Sequence, residues 1–206
     1  MLILALWPIR LTIAQTPGAS AKTRRTAVSV PFVGCESSGQ IEVLEAPKGE
    51  RKPVSISQMD AEALSWYKSA DGLGLLAPRG WYCEGASGSG GSVLFLSPKP
   101  VHNSMSGWEG LDGAAIAIAY RSSENGSGRY EVAEIVARAF PERRAFADMV
   151  FYGLDLPLPS GPYQKDALKY IDKNVVEYRT PVSTEGLGNA DSWLGKTTCP
   201  SKEPTS

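Results

Sequence analysis

Trp81, Tyr82, Cys83 and Glu84 stand in one unbroken run, just ahead of the glycine–serine stretch Gly85–Gly91. The flat faces of Trp and Tyr suit a sugar ring, and a nearby carboxylate can protonate a glycosidic oxygen. A second carboxylate would be needed across the bond, and Glu109 or Asp112, beside Trp108, supplies a candidate. With Arg79 just upstream, the candidate ligand surface is Arg79, Trp81, Tyr82 and Glu84. The plainer reading packs Trp81 against a disulfide at Cys83 and leaves Glu84 solvated, which gives a non-enzymatic binding surface.

The glycine–serine run invites other chemistries and meets the requirements of none. A phosphate loop of the Walker type needs a Lys followed by Ser or Thr just after its last glycine, and then a helix. Here Gly91 is followed by Ser92-Val93-Leu94-Phe95, and the next lysine is Lys99. A dinucleotide loop must also open a helix, so it fails on the same ground. A nucleophile elbow needs Gly-x-Ser-x-Gly, and neither Ser87 nor Ser89 has glycine on both sides at that spacing. The run reads as the loop of a hairpin between "GWYC" and "SVLFL".

His102 is the only histidine. A histidine-rich zinc site is thereby excluded, and any Ser-His-Asp or Cys-His arrangement must use this residue. In its polar setting His102 reads as a surface side chain. No metal ligand set and no cofactor is expected.

Cys35, Cys83 and Cys199 are the three cysteines. In an oxidising compartment the first two can pair, leaving the tail cysteine over. Closing that loop of about fifty residues is worth ~4 kcal/mol in the chain-entropy account. A second reading takes "KTRRTAVSVPFVGC" as a lipoprotein signal, in which case lipidation at Cys35 anchors the chain to a membrane. A third, a catalytic thiol, lacks a histidine close in sequence.

These residues need elements to hold them. The 206 residues suit one domain with accessory ends, and 42% apolar content supports a core. The net charge of −1 gives no general pull toward nucleic acid, so no nucleic-acid partner is expected. Residues 1–21 are read as a signal peptide: "MLILALWPIRLTIA" is too short and too broken to span a bilayer, and small-residue cleavage sites end at Ala14 and Ala21. Residues 22–188 form a single α+β domain, and the polar residues 189–206 form a disordered tail.

Within the domain, Thr26–Gly34, Gly39–Pro47, "RGWYC", Ser92–Pro98, Leu111–Arg121 and Asn174–Pro181 read as strands. In the Leu111–Arg121 strand, Ile116, Ile118 and Tyr120 alternate with alanines, giving one bulky and one small face. Ser57–Gly72 reads as a helix capped by Ser57 with Asp60 as the reciprocal capping residue, and Met59, Ala63, Trp66 and Tyr67 form its apolar stripe. Val132, Ile135, Val136, Ala139 and Phe140 give the strongest helical periodicity. Pro141 then restarts the helix, with Phe146, Met149 and Val150 on its apolar face. The fold class is α+β: an antiparallel sheet of short hairpin-connected strands with two or three helices packed on one face.

The segments "VPFVGCESSGQ", "GLGLLAPRGWYCEGASGSGGSVLFLSP", "GRYEVAEIVARAFPERRAF" and "YIDKNVVEYRTPVSTEGLG" together resemble a family of uncharacterised bacterial exported proteins. The resemblance covers about Val30 to Gly188. It implies a periplasmic or extracellular location and a structural role for Cys35 and Cys83. It implies no activity and names no partner.

Overall fold

Pro31 divides the first strand segment, because a proline brings no N–H to a ladder. The computed structural model describes residues 27–104, 107–109, 114–124, 127–152, 166–180 and 193–198. The expected signal peptide, residues 1–21, lies outside the described residues, as do Asp112 and Cys199.

Strand β1 (Ala27–Val30) runs up to Pro31 and β2 (Phe32–Cys35) leaves it. The Pro31 carbonyl still accepts, taking the Trp66 N–H at 2.8 Å. Two residues after β2, β3 (Ser37–Ser38) belongs to a different sheet. The chain therefore crosses between sheets at Glu36. On the far side of β3 lies β4 (Val43–Leu44), all that becomes strand of Gly39–Pro47. Next, β5 (Lys52–Ser55) pairs antiparallel with β1.

The helix expected over Ser57–Gly72 stops early: α1 covers only Gln58–Ala63, and Leu64–Ser69 is strand β6. Ser57 does cap α1, accepting the Asp60 N–H at 3.1 Å. Past Ala63 the burial alternates, with Ser65, Tyr67 and Ser69 inside, a period of two rather than 3.6. Strand β6 is central in its sheet, paired parallel with β2 and antiparallel with β7 (Gly74–Pro78). Two ladders and a buried Tyr67 outweigh helix propensity here. Gly72, expected to end a helix, instead sits in the β6–β7 turn at φ +100°.

The glycine–serine run is mostly strand. Strand β8 spans Tyr82–Gly88 and β9 spans Gly91–Ser97, paired from Tyr82↔Ser97 to Gly88↔Gly91, so only Ser89 and Gly90 form the turn. The hairpin is as expected, but the loop is two residues long. The other neighbour of β9 is β12 (Ile116–Arg121), which completes a five-stranded sheet in the order β12-β9-β8-β3-β4. Between them in sequence, β10 (His102–Ser104) and β11 (Gly107–Glu109) form a small antiparallel hairpin.

One apolar cluster joins the two main sheets. Tyr67 and Ala77 come from the three-stranded sheet, Leu94 and Leu96 from the five-stranded one, and Cys35 from the crossover between them. Ile116 and Ile118 close it from β12, while Tyr120, on the same bulky face, is exposed.

Helix α2 (Gly128–Ala139) is followed by a 3-10 turn at Pro141–Arg143 and by α3 (Arg144–Tyr152), matching the expected restart at Pro141. The buried stripe is rotated from the expected one. Ala133, Val136 and Ala137 meet Ala147, Val150 and Phe151, while Ile135 and Met149 are exposed. Three alanines at the contact let the helices approach closely, and the small residues rather than the larger ones set the seam.

The last sheet is β13 (Ala167–Asp172), β14 (Val175–Thr180) and β15 (Trp193–Thr198), paired antiparallel in that order. Strand β15 lies within residues 189–206, expected to be a disordered tail. For Trp193–Thr198 that expectation is corrected: a partnered ladder orders a segment too short and too polar to show a pattern alone. Leu168 and Val176 pack on Ala139 and Phe140 at the end of α2. The protein is α+β, as the sequence predicts, with mostly antiparallel pairing and three α-helices among the described residues. None of the described helices is long and apolar enough to cross a membrane.

Candidate ligand surface

Alternation along β8 sorts the candidate residues onto two faces. Cys83 and Gly85 point into the protein; Tyr82, Glu84 and Ala86 point out. Cys83 is bonded to Cys35, with the Cα atoms 5.5 Å apart. The Cys35 sulfur, which a lipid thioether would require, is thus the sulfur of the bridge. A Cβ at Gly85 would overlap the Ser37 hydroxyl, so glycine is what lets the crossover lie against β8.

Trp81 faces the core and packs on the cluster that holds the disulfide. Its N–H donates to the Tyr67 hydroxyl at 3.1 Å, and that hydroxyl donates to the Pro78 carbonyl at 2.8 Å. Tyr67 thereby pins the turn that leads into β8. Burial pushes the Tyr67 phenol above its ordinary range, against the lowering effect of its backbone hydrogen bonds.

Arg79 is also taken. Its Nε donates to the Leu64 carbonyl at 3.1 Å and its Nη2 to the Ala61 carbonyl at 2.6 Å. These carbonyls lie at the end of α1, where helix geometry leaves acceptors unfilled. Of the four candidate residues, only Tyr82 and Glu84 therefore share the outer face. Tyr82 is half exposed.

Three further residues, Ser38, Asn103 and His102, join them around Glu84. The Glu84 side chain is only 15% exposed and is held from several sides. Its Oε1 accepts from the Ser38 hydroxyl at 3.0 Å and from the Asn103 N–H at 3.3 Å. Its Oε2 lies 3.4 Å from His102 Nδ1, and His102 itself is 69% exposed. Across the small hairpin, Glu109 stands opposite His102. The fold thus binds strands β3, β8 and β10 through one carboxylate.

The sequence marked Glu84 but predicted it to be solvated, whereas it is mostly covered. His102 is a surface residue as expected, yet it is paired, and nothing in sequence 18 positions away pointed to Glu84. Ser38 carried no signal at all; only the parallel β3–β8 pairing brings it alongside. Among the described residues no group of three or more His, Cys, Asp or Glu side chains is placed to hold a metal.

Comparison with protein-family models, with curated proteins and with solved structures finds no match to this chain.

Proposed function

We propose that this is an exported bacterial protein that acts by binding, without catalysis, in the envelope or outside the cell. Its ligand or partner meets the outer face of β8 at Tyr82, Glu84 and His102. The observation that carries the reading is the Cys35–Cys83 bridge directly behind that face. Such a bridge persists in oxidising compartments and is rare in the cytosol. The resemblance to exported bacterial proteins and the apolar N-terminal residues support the same compartment.

Glu84 suits recognition. A carboxylate fixed by Ser38, Asn103 and His102 presents a constant acceptor beside an exposed phenol ring. The test is fractionation of the natural-length gene product with thiol alkylation before lysis. Export predicts an extracytoplasmic pool in which Cys35 and Cys83 resist alkylation. A cytoplasmic pool with both thiols reactive overturns the reading.

A second reading is an acid/base hydrolase of cell-wall carbohydrate, favoured by the contact between Glu84 Oε2 and His102 Nδ1. Glu84→Gln decides it: glycan hydrolysis that is absent in the native protein, or unchanged by the substitution, removes Glu84 as a catalytic residue.

A further inference from the structure

Strand β12 is the outermost strand of the five-stranded sheet, laddered on one side to β9. Along an antiparallel pair, residues alternate between exchanging hydrogen bonds with the partner strand and turning their N–H and C=O away from it. The Ser122 N–H donates to the Gly90 carbonyl at 3.0 Å, which continues the β9–β12 register past Arg121↔Gly91. Counting back in twos, Tyr120, Ile118 and Ile116 bond to β9, whereas Arg121, Ala119 and Ala117 turn their backbone groups outward. Among the described residues no other main-chain group meets those outward groups.

This edge is six residues long, open and unguarded. Ala117 and Ala119 are exposed, and Tyr120 is 61% exposed. The one charge on the strand is occupied, since the Arg121 guanidinium donates to Glu131 and to the Ser92 carbonyl. Other outer strands carry the features that discourage edge pairing. Strand β4 has only two residues, β5 carries Lys52 and Pro53, and β7 ends on Pro78. Lys169 and a bulge after Tyr170 interrupt β13, and Lys196 lies in β15.

The side chains of β12 suit a second copy of β12. A two-fold axis through Ala119 sets Ala119 against Ala119, Ala117 against Arg121 and Ile118 against Tyr120. The outward N–H and C=O of all three residues then find mates, and the register is reciprocal, as a two-fold demands. Methyl groups at the axis let the two backbones meet. Tyr120 gains the second copy's Ile118 across the new pair, an aromatic and β-branched combination that stabilises sheets.

We propose that the chain self-associates through β12, as an antiparallel two-fold dimer with Ala119 on the axis. The two five-stranded sheets run on as one, with corresponding faces on the same side. Five strand spacings, about 24 Å, separate the two β8 strands. Given the proposed binding role of Tyr82 and Glu84, the dimer presents two such faces on one side of a single sheet.

The test is sedimentation velocity of the full chain, disulfide intact, across about a hundredfold range of concentration, with amide exchange measured at both ends of it. It reads association alone and is independent of any ligand. Dimerisation is expected, with the Ala117, Ala119 and Arg121 amides exchanging more slowly at high concentration. Ala119→Lys and Ala119→Glu each set like charges opposite one another and are expected to weaken association at least about tenfold. Mixing the two variants is expected to restore it, because lysine then faces glutamate. Ala119→Pro removes an outward N–H and no bond to β9, and is expected to abolish the dimer. Thermal unfolding of each variant separates lost association from lost fold. A native chain that stays monomeric leaves this edge to a strand from a different protein and overturns the proposal. So does equal association of native chain and variants, a mixture no tighter than either variant alone, or slowed exchange centred on another strand.

Discussion

Gly85 and Tyr67 show how single residues hold the face that carries Glu84. The Ser37 hydroxyl is fully buried and without a hydrogen-bond partner, directly where a Gly85 side chain would go. Gly85→Ala is expected to cost about 1–3 kcal/mol by overpacking, read as a lower urea midpoint at unchanged slope. Adding Ser37→Gly to that variant is expected to return part of the loss. Tyr67 offers a pH test. Its folded phenol holds a proton more tightly than the ordinary phenol at 10.0, chiefly because it is buried. The unfolded chain therefore loses that proton first as pH rises. The contribution is intact below pH 10 and is lost as pH climbs from there through the folded value. Urea midpoints measured from pH 8 to 11 are expected to fall less steeply in Tyr67→Phe than in the native protein.

At the scale of elements, arginines fasten the last sheet to the helices. Arg138 Nε donates to Asp166 at 2.8 Å, the Asp166 side chain has no exposed surface, and the guanidinium lies 4.8 Å from the Tyr178 ring centroid. Arg143 reaches Asn174 in the β13–β14 turn. Arg138→Met removes the guanidinium from a buried carboxylate and is expected to cost about 3 kcal/mol, with amide exchange quickening first in Ala167–Asp172 and Val175–Thr180. Arg144 pairs with Asp148 one turn on at 2.8 Å. An i,i+4 pair is legible because both partners ride one helix. Asp166 lies 28 residues from Arg138, and no local pattern announces such a partner.

For the whole molecule the disulfide is the long-range tie. It joins residues 48 apart and fixes the crossover between sheets to the strand bearing Tyr82 and Glu84. The Cys35→Ala/Cys83→Ala pair of substitutions is expected to cost about 2–4 kcal/mol, measured as a drop in thermal midpoint. A reductant is expected to lower the midpoint of the native protein but not of the variant. Because the bridge backs β8, the variant is also expected to loosen the Asn103 and His102 contacts with Glu84, visible as broadened His102 ring resonances.

What the residues determined alone was local and covalent. Pro141 had to restart a helix, Ser57 had to cap one, and alternation in Ile116–Arg121 had to make a bulky face. Strand and helix patterns along the chain were enough for the α+β class, and the cysteines named a bridge among open alternatives. Each of these follows from steric rules or periodicities that act within a few residues. The tertiary structure decided the rest: that Leu64–Ser69 is strand, that Gly85–Gly88 is ladder rather than loop, that Trp193–Thr198 is paired, that Arg79 is bonded to the end of α1 and that Trp81 packs on the core. It also brought Ser38, His102 and Glu84 together. These outcomes depend on which strand lies alongside, and pairing energy comes from neighbours dozens of residues away, which no window of the chain contains.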